Sequence, residues 1–238
     1  VMINGMFNAL SGLNTFAKKL QNSSNNVANV LTPGFKSSQV NVSSLKSGGA
    51  QVTSTFRTNT PGAIQTTGNP LDAAINGNGF FQVGLPGGGV GFTRFGSFNT
   101  GPGGQLVTSD GNPIVPEIAI SAGNTGVSID ANGQVSAQVG GAPAVVGQVQ
   151  LANFNNPAGL SAQGGNLFTE TVASGAPIAG NPGTGGLGNV IPGALELSNV
   201  DLIKEAVDQI VAKAGFKANV NIIRTADEML GTLLDIKA

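Results

Sequence analysis

The residues that could do chemistry are few. Between Ser37 and Leu195 the only acids are Asp72, Asp110, Glu117, Asp130 and Glu170. A glycoside-cleaving pair needs two carboxylates roughly 5–10 Å apart. These five are scattered, mostly beside Gly or Pro, and no pair presents itself. Asp72, in NPLDAAI, is the least turn-like and reads as a structural cap or as a salt-bridge partner of Arg94. The chain has no His and no Cys. Serine–histidine and cysteine–histidine machinery is therefore excluded, as are disulfides and Cys-ligated metals. Asp130-Ala131-Asn132-Gly133 resembles half a calcium loop, but no Glu closes it at the right distance, and a hairpin turn is the better reading. GNGFFQ at Gly77 lacks the third Gly and the helix of a dinucleotide fingerprint, and no phosphate-binding GxxxxGK[ST] occurs. No catalytic, cofactor-binding or metal-ligating residue is expected.

The elements behind these residues follow from composition. Only 10% of the chain is charged, against about a quarter in ordinary domains. It carries 37 Gly and 12 Pro, yet 40% is hydrophobic, which is too apolar for disorder. From Thr60 to Gly193 short apolar runs such as GFFQVGL, GFTRFGSF and AVVGQVQLANF alternate with turn signals, the pattern of an all-β domain. Asp110-Gly111 and Asn132-Gly133 read as hairpin turns. Ser38 to Thr60 is Ser-, Thr- and Gly-rich and reads as an extended linker arm, and Ser174 to Gly188 reads as a second flexible stretch. The net charge of −1 suggests no nucleic acid as partner. No apolar run reaches the ~18 residues of a membrane span, so no membrane insertion is expected. The opening VMINGMFNALSGL lacks the cationic leader and compact apolar core of a Sec signal, so export would use another route.

Helical periodicity marks both ends. Met6, Leu10, Leu13, Ala17, Leu20, Ser24, Val27 and Leu31 alternate at spacings of four and three, an unbroken heptad seam. The rest of this helix is mostly Asn, Ser, Gln and Thr, which makes it weak without a partner. In the second pattern Ser198 is placed to cap the helix, with Asp201 at N3. Val200, Ile203, Val207, Val211, Ala214, Ala218, Ile222, Thr225, Met229, Leu233 and Ile236 then follow an 11-residue repeat. Ile210, Val220, Ile223, Leu230 and Leu234 widen the apolar face beyond one seam. Two readings stand: an intramolecular helical hairpin, or faces that also pack between subunits.

The stretch NNVANVLTPGFK resembles the N-terminal signature of the bacterial flagellar axial proteins, the rod and hook family, with Asn25, Asn26, Ala28, Asn29, Thr32, Gly34, Phe35 and Lys36 matching that motif. NPLDAAINGNGFFQV with FTRFGSF and GQLVTSDG, then VGQVQLANFNNPAGLSAQGGNLFTET, then GALELSNVDLIKEAVDQIVAKAGFKANVNIIRTADEML, are similar to later segments of the same family, in order. FFQVGLPGG, GQLVTSDG and SGAP look most like a distal rod subunit, TPGAIQTTGNPLD like a proximal one, and GALELSNVDL and TADEML like a hook subunit. The resemblance implies a mixed fold: N- and C-terminal α-helices forming a coiled-coil inner domain, plus one Gly-rich all-β domain outside it. The implied domains are residues 1–36, an arm over 37–60, the β domain over 61–193 and the C-terminal helix over 194–238. It implies a non-catalytic, cofactor-free subunit of the basal-body rod, outside the cytoplasm in the periplasm. Such subunits polymerise with themselves into a hollow helical tube, meet neighbouring rod and hook proteins, and are exported by the flagellar type III apparatus without a cleaved Sec signal. A short hook protein is the alternative within the family, and a secreted β-domain glycan-acting enzyme or adhesin the alternative outside it. Within this reading Asn25, Asn26, Ala28, Asn29, Thr32, Pro33, Gly34, Phe35 and Lys36 form an assembly junction. Pro33-Gly34 is expected to turn tightly, with Gly supplying positive φ. The expected helical seam is Met6, Leu10, Leu13, Leu20 and Val27 with Val200, Ile203, Val207, Val211, Ala218, Ile222, Met229 and Leu233.

Overall fold

The computed structural model describes residues 2–121 and 124–235, with side chains from residue 4 to residue 232 across the same gap. The chain forms two compact units. The first gathers the two terminal helices and a β-hairpin, and the second holds Leu31–Lys36 and Asn59–Asn199.

In the first unit, helix α1 spans Met2–Ala28 and helix α2 spans Leu202–Asp235. Asp201, not Ser198, caps α2. Its Oδ1 accepts the backbone N–H groups of Ile203 at 2.9 Å and Lys204 at 3.2 Å. A carboxylate placed immediately before the helix satisfies two orphan donors with charge-assisted bonds. The two helices meet through small residues. A Cβ on Gly12 would lie 2.7 Å from the Asn219 side chain, and one on Gly215 would overlap the Phe16 ring. Ala9, Ala212 and Ala226 are buried, and Ser23 Oγ donates to the Glu205 carbonyl at 3.2 Å. This contact line lies to one side of the expected stripe. Leu10, Leu20, Val207, Ala218, Ile222 and Met229 are exposed, Ile203 is 79% exposed, and Val211 is 57% exposed. Met6, Leu13, Val27 and Val200 are half-buried. The Leu233 side chain and Ile236 lie outside the described residues. Gly, Ala and Ser let the helices approach closely, which leaves the larger aliphatic side chains facing outward.

The expected arm over residues 37–60 is instead a hairpin. Strands β1 (Ser38–Ser44) and β2 (Ala50–Arg57) pair antiparallel, with a register shift between Asn41 and Val42. The hairpin is fastened to α1 by polar groups: Ser11 Oγ accepts Ala50 N–H at 3.1 Å, and Asn22 Nδ2 donates to the Ser38 carbonyl at 2.6 Å. The Ser and Asn residues that read as unstructured are the adhesive between strand and helix.

The second unit is antiparallel throughout its described ladders. Its largest sheet has six strands, in the order Ser161–Gly164, Leu167–Thr169, Val90–Thr93, Phe80–Gly84, Leu151–Asn153, Ile178–Gly180. Strand alternation sends Phe80 and Phe81 to opposite faces. Phe81 joins a large aliphatic core with Ile75, Leu106 and Leu151, edge-on to Phe98 at 5.1 Å between ring centroids. Phe80 joins Phe92, Phe154 and Phe168 in a separate aromatic cluster. The stretch from Ser174 to Gly188 is not a loose linker. It contributes strand Ile178–Gly180, buries Ser174 and Leu187, and donates Gly188 N–H to the Asn78 carbonyl at 2.7 Å. The Asp130 carboxylate accepts Asn132 N–H and Gln134 N–H at 2.9 and 2.8 Å, closing a hairpin turn with Gly133 at φ +77°.

Candidate assembly junction

Helix α1 stops at Ala28, where Asn29 folds its side-chain amide back onto the Asn25 carbonyl at 2.9 Å. Asn residues favour such local bonds over continuing a helix. Four residues on, Phe35 N–H reaches the Thr32 carbonyl at 3.2 Å, with Pro33 second in the turn and Gly34 third at φ +71°. That is the type II pattern, which needs a residue able to hold positive φ in the third place. Gly34 also has no room for a side chain, since a Cβ would come 2.8 Å from Phe95 N. Its own N–H donates to the Glu196 carbonyl at 2.7 Å, and the Pro33 carbonyl accepts Asn166 Nδ2 at 2.9 Å. Leu31–Lys36 is thus pinned within the second unit by one backbone bond and one side-chain bond.

The turn delivers Lys36 into the interior. Lys36 and Glu196 are each 2% exposed and Arg94 is 3% exposed. Lys36 Nζ meets Glu196 Oε1 at 2.6 Å and donates to the Thr60 carbonyl at 2.9 Å. Arg94 Nε meets Glu196 Oε2 at 2.9 Å, while its Nη1 donates to the Gly77 and Gly79 carbonyls at 2.9 and 2.6 Å. Gly62 N–H adds a 2.8 Å bond to Glu196 Oε1. Burial pushes the Lys36 ammonium below the ordinary lysine range; Glu196 pulls it back up, and Arg94 adds a smaller push down. Such a cluster stabilises little when compared with apolar packing, but losing its one carboxylate leaves two cations buried and uncompensated. It therefore acts as a specificity pin for this one arrangement of Leu31–Lys36.

The same motif serves the helical unit through Asn26, which is 1% exposed. Its Nδ2 donates to Glu205 Oε1 at 2.7 Å and to the Ser38 carbonyl at 2.9 Å, and its Oδ1 accepts Ser38 N–H at 2.9 Å. One side chain joins α1, β1 and α2. Asn25 and Ala28 are exposed, while Asn29, Thr32, Pro33 and Phe35 are half-buried. The nine junction residues thus divide between a helix terminus, a turn, and two buried polar anchors.

The sequence reading missed Glu196 and Glu205, the acids that receive these anchors. Of the two readings of Asp72, loop cap or salt-bridge partner of Arg94, the cap holds, and Arg94 pairs with Glu196 instead. Asp72 accepts from Thr67 Oγ1 at 2.6 Å and from Asn69 Nδ2 at 3.1 Å, as a local loop cap. The signal that could have found Glu196 is a lone acid among apolar residues in GALELSN, an arrangement a solvent-facing acid does not need.

Comparison with known proteins bears on this geometry. Residues 6–36 match the family described as flagella basal body rod protein. Residues 74–137 match the flagellar hook protein FlgE/F/G D1 domain, and residues 191–236 the flagellar basal body rod FlgEFG protein C-terminal family. The chain is 39% identical over 257 residues to the flagellar basal-body rod protein FlgG of Buchnera aphidicola subsp. Acyrthosiphon pisum, covering 98% of this chain and 99% of that one. It is 36% identical over 248 residues to FlgG of Caulobacter vibrioides, covering 93% and 95%. The chain is 46% identical to the flagellar hook protein FlgE of Salmonella typhimurium over 93 residues, which is 39% of this chain and 23% of that protein.

Proposed function

The chain belongs to the flagellar basal-body rod protein family and is a structural subunit rather than an enzyme, and from that premise we propose how it assembles. Copies of it polymerise helically into the hollow periplasmic rod, of the distal kind, with α1 and α2 forming a coiled-coil inner domain and the β unit lying outside. Neighbouring rod and hook proteins continue the tube at its ends. The subunit reaches this site through the flagellar type III export apparatus.

The observation that carries the reading is the outward aliphatic face of α2, with Ile203, Val207, Ile210, Val211, Ile222 and Met229 all exposed. A contiguous apolar face of this kind marks an interaction surface. Repeated in each copy and docked on a different face of the next, such a contact does not close on itself and generates a filament. A rod subunit is favoured over a hook subunit because similarity to rod proteins runs the length of the chain, while similarity to the hook protein covers 39% of it. The glycan-acting alternative is not favoured, since Asp72 is occupied as a loop cap. The test is polymerisation of the purified protein, followed by sedimentation and electron microscopy. Tubes that disappear with Val211→Asp, in a monomer that stays folded, support the reading; tubes that persist overturn it.

A further inference from the structure

The buried cluster of Lys36, Arg94 and Glu196 has two cationic side chains and one carboxylate. The carbonyls of Thr60, Gly77 and Gly79 accept hydrogen bonds from the cations but bring no formal charge. Counting donors sharpens the imbalance. Lys36 has three N–H bonds and uses two, on Thr60 and Glu196. Arg94 has five and uses four, on Glu196 twice and on Gly77 and Gly79. One ammonium N–H and one guanidinium N–H have no hydrogen-bond partner among the described residues, and the Arg94 guanidinium also lies 5.9 Å from the centroid of the Phe80 ring, which lines the same space.

Both side chains line one small cavity of about 30 Å3, with Asn59, Asn78, Asn153 and Pro157 around it. Asn78 is exposed, so the cavity has a path to solvent. Its size suits a single water-sized occupant. Water would supply an acceptor but leave the excess charge, and uncompensated buried charge costs several kcal/mol. Loss of the Lys36 proton would also restore neutrality, but the Glu196 carboxylate in contact with the ammonium favours its charged form. We propose that the cavity is a binding site for one small monovalent anion of chloride size, held by Lys36 and Arg94. The anion completes the neutralisation of the junction, so that Leu31–Lys36 is held by four charges rather than three.

The experiment follows unfolding of the 238-residue protein at fixed ionic strength while sodium chloride replaces sodium gluconate. Binding to the folded form alone multiplies the folded-to-unfolded ratio of the β unit by one plus the chloride concentration over its dissociation constant, about tenfold when chloride stands tenfold above that constant. Lys36→Met removes one cation and abolishes this response. Crystals grown in bromide place an anomalous peak within hydrogen-bond reach of Lys36 Nζ and Arg94. Equal stability in chloride and gluconate overturns the proposal, because water or a neutral lysine then fills the role. A chloride response that persists in Lys36→Met is a general salt effect and overturns it too. If Lys36→Met does not fold, the chloride titration and the bromide crystals of the unaltered protein decide, and a cavity without anomalous density refutes the site.

Discussion

Glu196 is the residue on which the junction depends most. Glu196→Gln keeps the shape but removes the charge between Lys36 and Arg94, and the expected loss is about 3–5 kcal/mol in urea unfolding of the β unit. Lys36→Met should cost less, because Glu196 keeps Arg94 and Gly62 N–H as partners. The lowered Lys36 pKa carries a sign that can be checked. Since the folded value lies below the unfolded one, unfolding takes up a proton at any pH between the two. Stability of the β unit therefore rises with pH across that window and levels off above the unfolded value. Urea midpoints at alkaline pH should show this rise, and Lys36→Met should flatten it. Gly34, Asn26 and Lys36 were legible in the sequence because a motif marks them, and the Pro33-Gly34 turn follows from the chemistry of two residues. Glu196 was not legible. Its bond to Lys36 spans 160 positions, and no local pattern reports which acid a distant cation will meet.

Among elements, α2 offers a comparison between neighbours. Ala212 is 2% exposed, while Val211 next to it is 57% exposed. Ala212→Asp should disrupt the pairing of the helices and lower the helical signal of the isolated protein in circular dichroism. Val211→Asp should leave the isolated protein within about 0.5 kcal/mol of the original and act only on polymerisation. If the two substitutions behave alike, the two faces of α2 do not have separate roles. The existence of both helices was legible from periodicity. Which face turns inward was not, because a heptad count rewards large aliphatic residues, whereas these helices meet where Gly12, Phe16, Gly215 and Asn219 allow close approach. The hairpin over β1 and β2 was hidden for a related reason. Its cohesion comes from Ser and Asn hydrogen bonds to α1, and such residues are also those of mobile linkers.

At the scale of the whole molecule, the chain leaves the helical unit, enters the β unit at Leu31–Lys36, goes back for the hairpin, and returns from Asn59 to Asn199. Limited proteolysis of the isolated protein should leave a protected fragment that begins near Asn59 and ends near Asn199, with cuts concentrated at its borders. The β unit was legible as an all-β, turn-rich segment; its borrowing of six residues from before the hairpin was not, since which segments pack together is a property of space rather than of sequence order. That borrowing also imposes a timetable. A chain emerging N-terminus first presents Lys36 early, and the carboxylate that receives it arrives only near the end. Until then the junction has nothing to close upon, so an incompletely emerged subunit stays unlatched and pliable. A chain truncated after Pro192 should accordingly leave the Gly34 amide, which in the 238-residue chain donates to the Glu196 carbonyl, open to rapid hydrogen exchange, and addition of the forty-odd residues that follow Pro192 should act as the starting signal for its protection.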